Sequence, residues 1–550
     1  MNRQTFEISD EFLAQLKEDL VCRHVGRGMA CLEDHPQLLT SVDPEQKNAG
    51  RFVGYVAQWV DIGFQRPNLI GEMVSRFVKL VRSRLPVHDY MYLRLAEGMV
   101  AMAEEVTEKA IRNFDVVLGL EDETSDLELL SVANFWKARC LRMKGDYDQA
   151  LAYAVKGREL AAGLGHEPMA AVMRVLESWL YFQKGNPQQA IAILQEAEAT
   201  LLETDDYLTL GNIQSSYGRI ARRQGRYQHA IDHFSAAIVE YKKRDLQHRN
   251  VARSLTNMAS VKRLLAMQLG RKIDADVARR RKVVARDRAS LTQRRQQHRS
   301  RFEQLRQEAL SELAEAAAIY EQYRNHHGLG SVHLNYGYLH LDNGDLELAD
   351  VEATAAFQLG EEKRDYILMS RARLLQCMSE NARVEEEIGE SAGTGNHARL
   401  AQDNAKEALE LAKHTQNRRL LVDVYIWQGL TCSNRFFEDF EAARHCYDQA
   451  MILSKDHQLE DSWEDIQTLK ARTLRAGTVN PMLRAWSQGS VGNKTLQQII
   501  EEFAELIVPK VWEREGRKVS RVAIRLSMSP KKVRRILDRV GKHKPGGKQR

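Results

Sequence analysis

KARCLRMKGDYDQALAYAVKG (residues 137–157), ESWLYFQKGNPQQAIAILQEA (177–197) and YGRIARRQGRYQHAIDHFSAA (217–237) share one punctuation. Their turn glycines, Gly145, Gly185 and Gly225, are spaced 40 residues apart. Five positions after each comes an alanine: Ala150, Ala190 and Ala230. A residue that small lets two antiparallel helices approach closely. Four positions further on, Ala154, Leu194 and Phe234 supply the contact to the neighbouring unit. A fixed period of this length is the signature of stacked helical hairpins, each burying its apolar face on the next.

Copies of the same unit also occur at 331–356, through Gly337, Gly344, Ala349 and Ala356, and at 423–450, through Phe440, Ala443, Tyr447 and Ala450. The pattern resembles the tetratricopeptide repeat (TPR), and the copy at 211–237 matches best, with Gly218, Gly225, Tyr227, Ala230, Phe234 and Ala237. The usual TPR period is about 34 residues. The longer one here adds close to a turn over the two helices. The resemblance covers roughly residues 90–475 and implies an all-α, TPR-like superhelix whose concave face receives a peptide or protein. The array is expected to occupy 131–475, and Gly145, Gly185, Gly225 and Gly344 are expected in the turns inside its hairpins.

Residues 1–130 read as helical but irregular, with helices near Asp10–Cys31, Gln46–Ile62, Leu69–Arg84, Asp89–Glu105 and Glu108–Leu118, and Pro36, Pro44, Pro67 and Pro86 at the breaks. Phe52, Tyr55, Trp59 and Ile62 share one helical face and are expected in a core. Two insertions interrupt the array. Residues 271–307 carry 13 Lys+Arg and 4 Asp+Glu and no proline, which predicts a long helix projecting as a hairpin arm. Its cations Arg279, Arg280, Arg281, Lys282, Arg286, Arg294 and Arg295 are either a solvated charged face or a second nucleic-acid contact. The second, GESAGTGN at 389–396, reads as a flexible loop.

AGTVNPMLRAWSQGSVGNK (476–494) breaks the helical pattern and reads as a linker. Beyond it, TLQQIIEEFAELIVPKVWEREGRKVSRVAIRLSMSPKKVRRILDRVG (495–541) divides into three helices, the last two joined by Ser527-Met528-Ser529. That is helix-turn-helix spacing. Ser529 is placed as an N-cap with Pro530 at the first helical position. Val533, Ile536, Leu537 and Val540 fall at i, i+3, i+4 and i+7, a buried stripe against Val522, Ala523 and Leu526. Lys531, Lys532, Arg534, Arg535 and Arg539 are left in front, with Lys518 and Arg521 as flanking phosphate contacts. An apolar back and cationic front fit the DNA major groove.

These residues resemble the Fis-type helix-turn-helix of nucleoid proteins and bacterial enhancer-binding activators, through Leu506-Ile507, Gly516, Val519-Ser520, Ala523, Leu526, Ser529, Val533, Arg535, Leu537 and Gly541. The resemblance covers under a tenth of the chain and implies DNA binding, through a domain that can form a homodimer. Arg517 and Lys518 stand where the family has Gly and Asn, Ser527 where it has the turn Gly, and Pro509 interrupts the helix that supports dimer packing.

Charge supports the division. The 550-residue chain is +5; the net +10 of 494–550 and +9 of 271–307 leave −14 for everything else. Ten prolines, a mean hydropathy of −0.48 and no long uncharged apolar window predict a helical protein with no membrane span. The N-terminal stretch is acidic and amphipathic, unlike a signal peptide, so a cytoplasmic location is expected. Cys22, Cys31, Cys140, Cys377, Cys432 and Cys446 form no C-x-x-C pair and are expected as thiols rather than disulfides or zinc ligands. Gly489-Ser-Val-Gly492-Asn-Lys494 lacks the spacing of a phosphate-cradling loop, and the adjacent pairs His326-His327 and His445-Cys446 point different ways on a helix. No catalytic, cofactor or metal site is expected. Two readings follow: a DNA-binding regulator with a peptide- or protein-binding superhelix, or a scaffold whose basic C-terminus contacts RNA or an acidic protein.

Overall fold

A computed structural model of the chain describes residues 8–64, 68–280, 288–386, 392–454, 462–476, 482–483, 486 and 491–541. Among them every regular element is helical. The chain forms two compact units, Met1–Lys470 and Ala471–Arg550.

The first unit opens with α1 (Asp10–Val21), α2 (Val25–Glu33), α3 (Pro36–Ser41), α4 (Ala49–Asp61), α5 (Leu69–Ser75) and α6 (Lys79–Arg82). The single helix expected over Asp10–Cys31 is broken at Cys22–His24, where Arg23 turns left-handed at φ 57°. Arg23 is buried there, its guanidinium 3.7 Å from Asp206. Asp205 then accepts from the Val25 and Gly26 amides at 2.5 and 2.7 Å, satisfying the first donors of α2. The expected Leu69–Arg84 helix is likewise two, because Phe77 buries its ring between them. In α4, Phe52, Tyr55, Trp59 and Ile62 are buried, and so are Val53, Val56 and Ala57 on the other side.

Hairpins follow: α7 (Val87–Ala103) with α8 (Thr107–Leu118), α9 (Leu127–Lys144) with α10 (Tyr147–Gly163), and α11 (Glu167–Gln183) with α12 (Pro187–Leu201). Then come α13 (Tyr207–Arg223) with α14 (Tyr227–Arg244), α15 (Arg249–Arg280) with α16 (Arg288–Gln322), and α17 (His326–Asn343) with α18 (Leu346–Lys363). The last are α19 (Tyr366–Glu386) with α20 (Ala392–Lys413) and α21 (Arg418–Cys432) with α22 (Phe440–Ser454), followed by α23 (Trp463–Ala476). Gly145, Gly185, Gly225 and Gly344 lie in the inner turns at φ 83°, 86°, 70° and 80°. The repeat alanines Ala150, Ala190, Ala230, Ala349 and Ala443 are all 0% exposed, as are Ala154, Leu194 and Phe234. A side chain at Gly218 would meet the Phe234 ring at 2.8 Å, so the approach of α13 to α14 there depends on its absence.

The first helices of successive hairpins touch one another, whereas the second helices stand further apart. The first helices therefore lie inside the curve. The coil also returns onto itself. The α9–α10 turn meets the α20–α21 turn, where the Gln416 amide donates to the Gly145 carbonyl at 2.9 Å and the Asp148 amide to Gln416 Oε1 at 3.1 Å. One hairpin earlier, Glu105 accepts from Asn325 Nδ2 at 3.0 Å and the His326 amide at 2.8 Å.

The basic insertion extends α15 and α16, which pair along their length. Lys262 anchors their root, bridging Glu308 at 2.8 Å and Glu312. The expected loop at 389–396 is corrected in part: α20 begins at Ala392, with Thr394 buried and the Phe436 ring 3.1 Å from where a Gly395 side chain would start. Burial under Phe436 holds this glycine-rich start in a helix; Gly389, Glu390 and Ser391 lie outside the described residues. So does most of the expected linker.

The second unit contains α24 (Leu496–Arg514), α25 (Val519–Arg525) and α26 (Pro530–Arg539). Pro509 does not interrupt α24, which runs through it with Val508 and Pro509 buried.

Candidate nucleic-acid and ligand interfaces

The second unit is built around a small core of Val508, Val522, Ala523, Val533, Ile536 and Leu537. Ser529 caps α26 by accepting from the Lys532 amide at 3.2 Å. Three of the four stripe positions are buried; Val540 is 39% exposed, because α26 ends at Arg539. The turn before it is left-handed at Ser527, φ 52°, and the turn before α25 is left-handed at Gly516 and Arg517, φ 65° and 61°. Ser527 therefore adopts the conformation for which the resembling family has glycine.

Lys518, Arg521, Ser529, Lys531, Lys532, Arg534 and Arg535 are all exposed. None of the six cations has a carboxylate partner among the described residues. Arg539 differs: Glu505 at 2.9 Å and Glu501 at 3.3 Å hold it against α24. It is half-exposed, but unlike the other cations its charge is matched by α24. Along α24, Leu496, Ile500 and Phe503 form an apolar strip at 73%, 55% and 47% exposure.

In the insertion, Arg279 and Arg280 fall within α15, and Arg294 and Arg295 on α16 are exposed and half-exposed. Arg281, Lys282 and Arg286 lie outside the described residues.

The inner face of the superhelix holds a set of arginines that sequence reasoning missed. Some are compensated. Arg139 and Arg249 share Asp61 at 2.8 and 3.1 Å, and Arg263 takes Asp342 at 2.6 Å. Among the described residues Arg253 has only neutral partners, Asn212 Oδ1 at 2.6 Å and the Tyr241 hydroxyl at 3.4 Å. Arg219 has the Ser216 hydroxyl at 3.0 Å. Arg142, which lies over the Trp179 ring at 5.1 Å, Arg222 and Arg371 have no carboxylate within ion-pair distance among the described residues.

These groups crowd one another. Burial, then the charges of Arg139 and Arg253, push Arg142 down to about 9. Burial, then Arg253, push Arg219 down to about 9, and burial, then Arg371, push Arg222 down to about 10. All remain cations at neutral pH, so the fold bears the cost of their lost hydration first and of their mutual repulsion second. Repeat position was the available signal: Arg142 and Arg222 each stand three residues before a turn glycine.

The chain matches no family model and no curated protein sequence. Among solved structures it resembles a Rap protein complexed with competence and sporulation factor, at 12% identity and a TM-score of 0.51, over 73% of this chain and 98% of that one. It also resembles the Rap conjugation gene regulator of plasmid pLS20 in complex with the Phr* peptide, at 10% identity and a TM-score of 0.44, over 74% and 96% of the two chains. The apo quorum sensor NprR from B. thuringiensis gives 14% identity and 0.37 over 80% and 97%. These neighbours are TPR-like helical-repeat proteins, and the fold is an all-helical TPR-like solenoid.

Proposed function

We propose that this chain is a DNA-binding regulator whose TPR-like superhelix receives a peptide on its inner face. The observation that carries the DNA-binding half is the front of α26. Ser529 fixes where the helix starts, Val533, Ile536 and Leu537 fix which side is buried, and Lys531, Lys532, Arg534 and Arg535 are left uncompensated in its first two turns. That is the part of a recognition helix that approaches bases and phosphates. With no Asn or Gln there, base reading falls to Arg and Lys and favours guanine. The strip Leu496, Ile500 and Phe503 supports a homodimer, and the basic hairpin α15–α16 supports a second phosphate contact. Peptide binding rests on the arginine-lined inner face; the Rap neighbour complexed with competence and sporulation factor shares that fold.

A mobility-shift titration of the full chain on duplex DNA at two salt concentrations tests the reading. Arg534→Ala and Arg535→Ala should each cost about 1–3 kcal/mol and relax sequence preference, while Lys518→Ala should weaken all sequences alike. A folded double variant Arg534→Ala/Arg535→Ala that binds as tightly as wild type would overturn it and favour the scaffold reading.

A further inference from the structure

The inner-face arginines invite a question about counter-charge. Cations gathered without carboxylates repel one another, and Arg142, Arg219 and Arg222, each half-buried, lose hydration as well, whereas Arg371 is exposed; both effects act against the fold unless something else supplies the counter-charge. Arg142 on α9, Arg219 and Arg222 on α13 and Arg371 on α19 come from three different hairpins, yet they form one neighbourhood. Arg142 and Arg219 both face Arg253, and Arg222 faces Arg371. Arg222 and Arg219 each leave a buried Nε without an acceptor. The Arg223 guanidinium, beside them, is already occupied by the Phe182 carbonyl at 3.0 Å and the Phe182 ring at 3.8 Å.

We propose that the inner face binds an acidic peptide, whose carboxylates supply the counter-charges that Arg142, Arg219, Arg222 and Arg371 lack. This rests on the reading of the superhelix as a peptide receptor and names the chemistry of its ligand. The cations are strung across several hairpins instead of converging on one point, which suits an extended chain bearing several carboxylates better than one compact anion. Guanidinium groups engage carboxylates through paired N–H donors, the geometry that makes arginine the residue for such sites. Single-stranded nucleic acid fits less well, because it needs open aromatic faces for its bases. Here Trp179 is covered by Arg142 at 5.1 Å and edged by Tyr147 at 5.5 Å, and Tyr338 is covered by Arg263 at 4.8 Å.

The experiment uses the full chain carrying Lys531→Gln, Lys532→Gln, Arg534→Gln and Arg535→Gln, so that the front of α26 does not contribute. Labelled hexaglutamate is titrated by anisotropy, with hexalysine and hexaglutamine as controls and tripolyphosphate and oligouridine as separate arms. Hexaglutamate should bind, and adding Arg142→Gln, Arg222→Gln and Arg371→Gln should weaken it about tenfold or more. Melting provides a second readout. Removing uncompensated cations should raise the melting temperature or leave it unchanged, whereas Arg263→Gln, which strands Asp342, should lower it. The proposal is overturned if the triple variant binds hexaglutamate as wild type does, or melts as low as Arg263→Gln. It is also overturned if only tripolyphosphate or oligouridine binding responds. A random hexapeptide pool separates this from the receptor reading. Retention of non-acidic members that is lost in the triple variant keeps the receptor and removes the acidic preference. Retention of none removes both.

Discussion

Ser527 shows what a single backbone angle costs. Its φ of 52° puts an L-residue in the left-handed region, in the turn that sets the angle between α25 and α26. That conformation costs roughly 1–2 kcal/mol for a residue with a side chain, and glycine recovers most of it while giving up some chain entropy in the unfolded state. Ser527→Gly should therefore stabilise the second unit by about 0.5–1 kcal/mol, seen as a higher melting temperature with unchanged DNA affinity. Asp126 is the opposite case, a residue whose surroundings favour it. It caps α9 through the Leu129 amide at 3.0 Å and accepts from His88 Nε2 at 2.7 Å and the Tyr92 hydroxyl at 2.9 Å. Burial works against its charge, but those hydrogen bonds prevail and hold it down to about 2, against 3.8 ordinarily. The native state thus binds this proton less readily than the unfolded chain. The resulting stability, about 2 kcal/mol, is present above pH 3.8 and is lost as pH falls through about 2. Asp126→Asn keeps the cap and removes the charge. Urea unfolding should show a constant deficit from pH 7 to about 4 that narrows below it.

At the scale of elements, the long pair α15–α16 is the feature whose role an experiment can isolate. Its root is tied in by Lys262 and by the burial of Leu305, Ala309 and Leu313, while among the described residues the basic length beyond belongs to no core cluster. Replacing 275–298 by a short turn should leave the array folded. If those cations touch phosphate, the plot of log affinity against log salt should become shallower by about 0.9 for each phosphate that is no longer neutralised; an unchanged slope leaves the arm without a nucleic-acid role. The hairpins themselves were legible in the sequence because one small residue per unit and one left-handed turn per unit recur at fixed spacing, and nothing else satisfies both. The glycine-rich start of α20 was not, because its helicity depends on Phe436, some forty residues on, which no local pattern reveals. Arg539 looked like part of the basic front from its place on α26; only the side-by-side packing of α24 brings Glu501 and Glu505 to it. The inner arginines were hidden for a related reason. Charge is legible where it runs on along the chain, whereas Arg142, Arg219, Arg222, Arg253 and Arg371 come from separate stretches that only the coil gathers.

For the first unit as a whole, two glycines at one repeat position offer a matched comparison. Gly145 and Gly344 have nearly the same φ, 83° and 80°, so alanine strains both backbones alike. Around Gly344 there is open space; at Gly145 the added carbon would lie 2.9 Å from Thr415 on the returning turn. Gly344→Ala should cost roughly the left-handed penalty of 1–2 kcal/mol, and Gly145→Ala more, with the excess measuring the closure. Hydrogen exchange should locate that excess at both ends of it, in α9–α10 and in α20–α21, and Gly344→Ala should leave α20–α21 as protected as before.

The meeting of Gly145 with Gln416 also bears on how the coil responds to load. Open repeat arrays stretch like springs, because each unit is bonded only to its neighbours and the gaps between coils widen freely. Here adjacent coils are riveted to each other, so the first unit should resist elongation as a tube does. Pulled from its two ends, it should hold its length until the rivets shear, and only then unravel hairpin by hairpin.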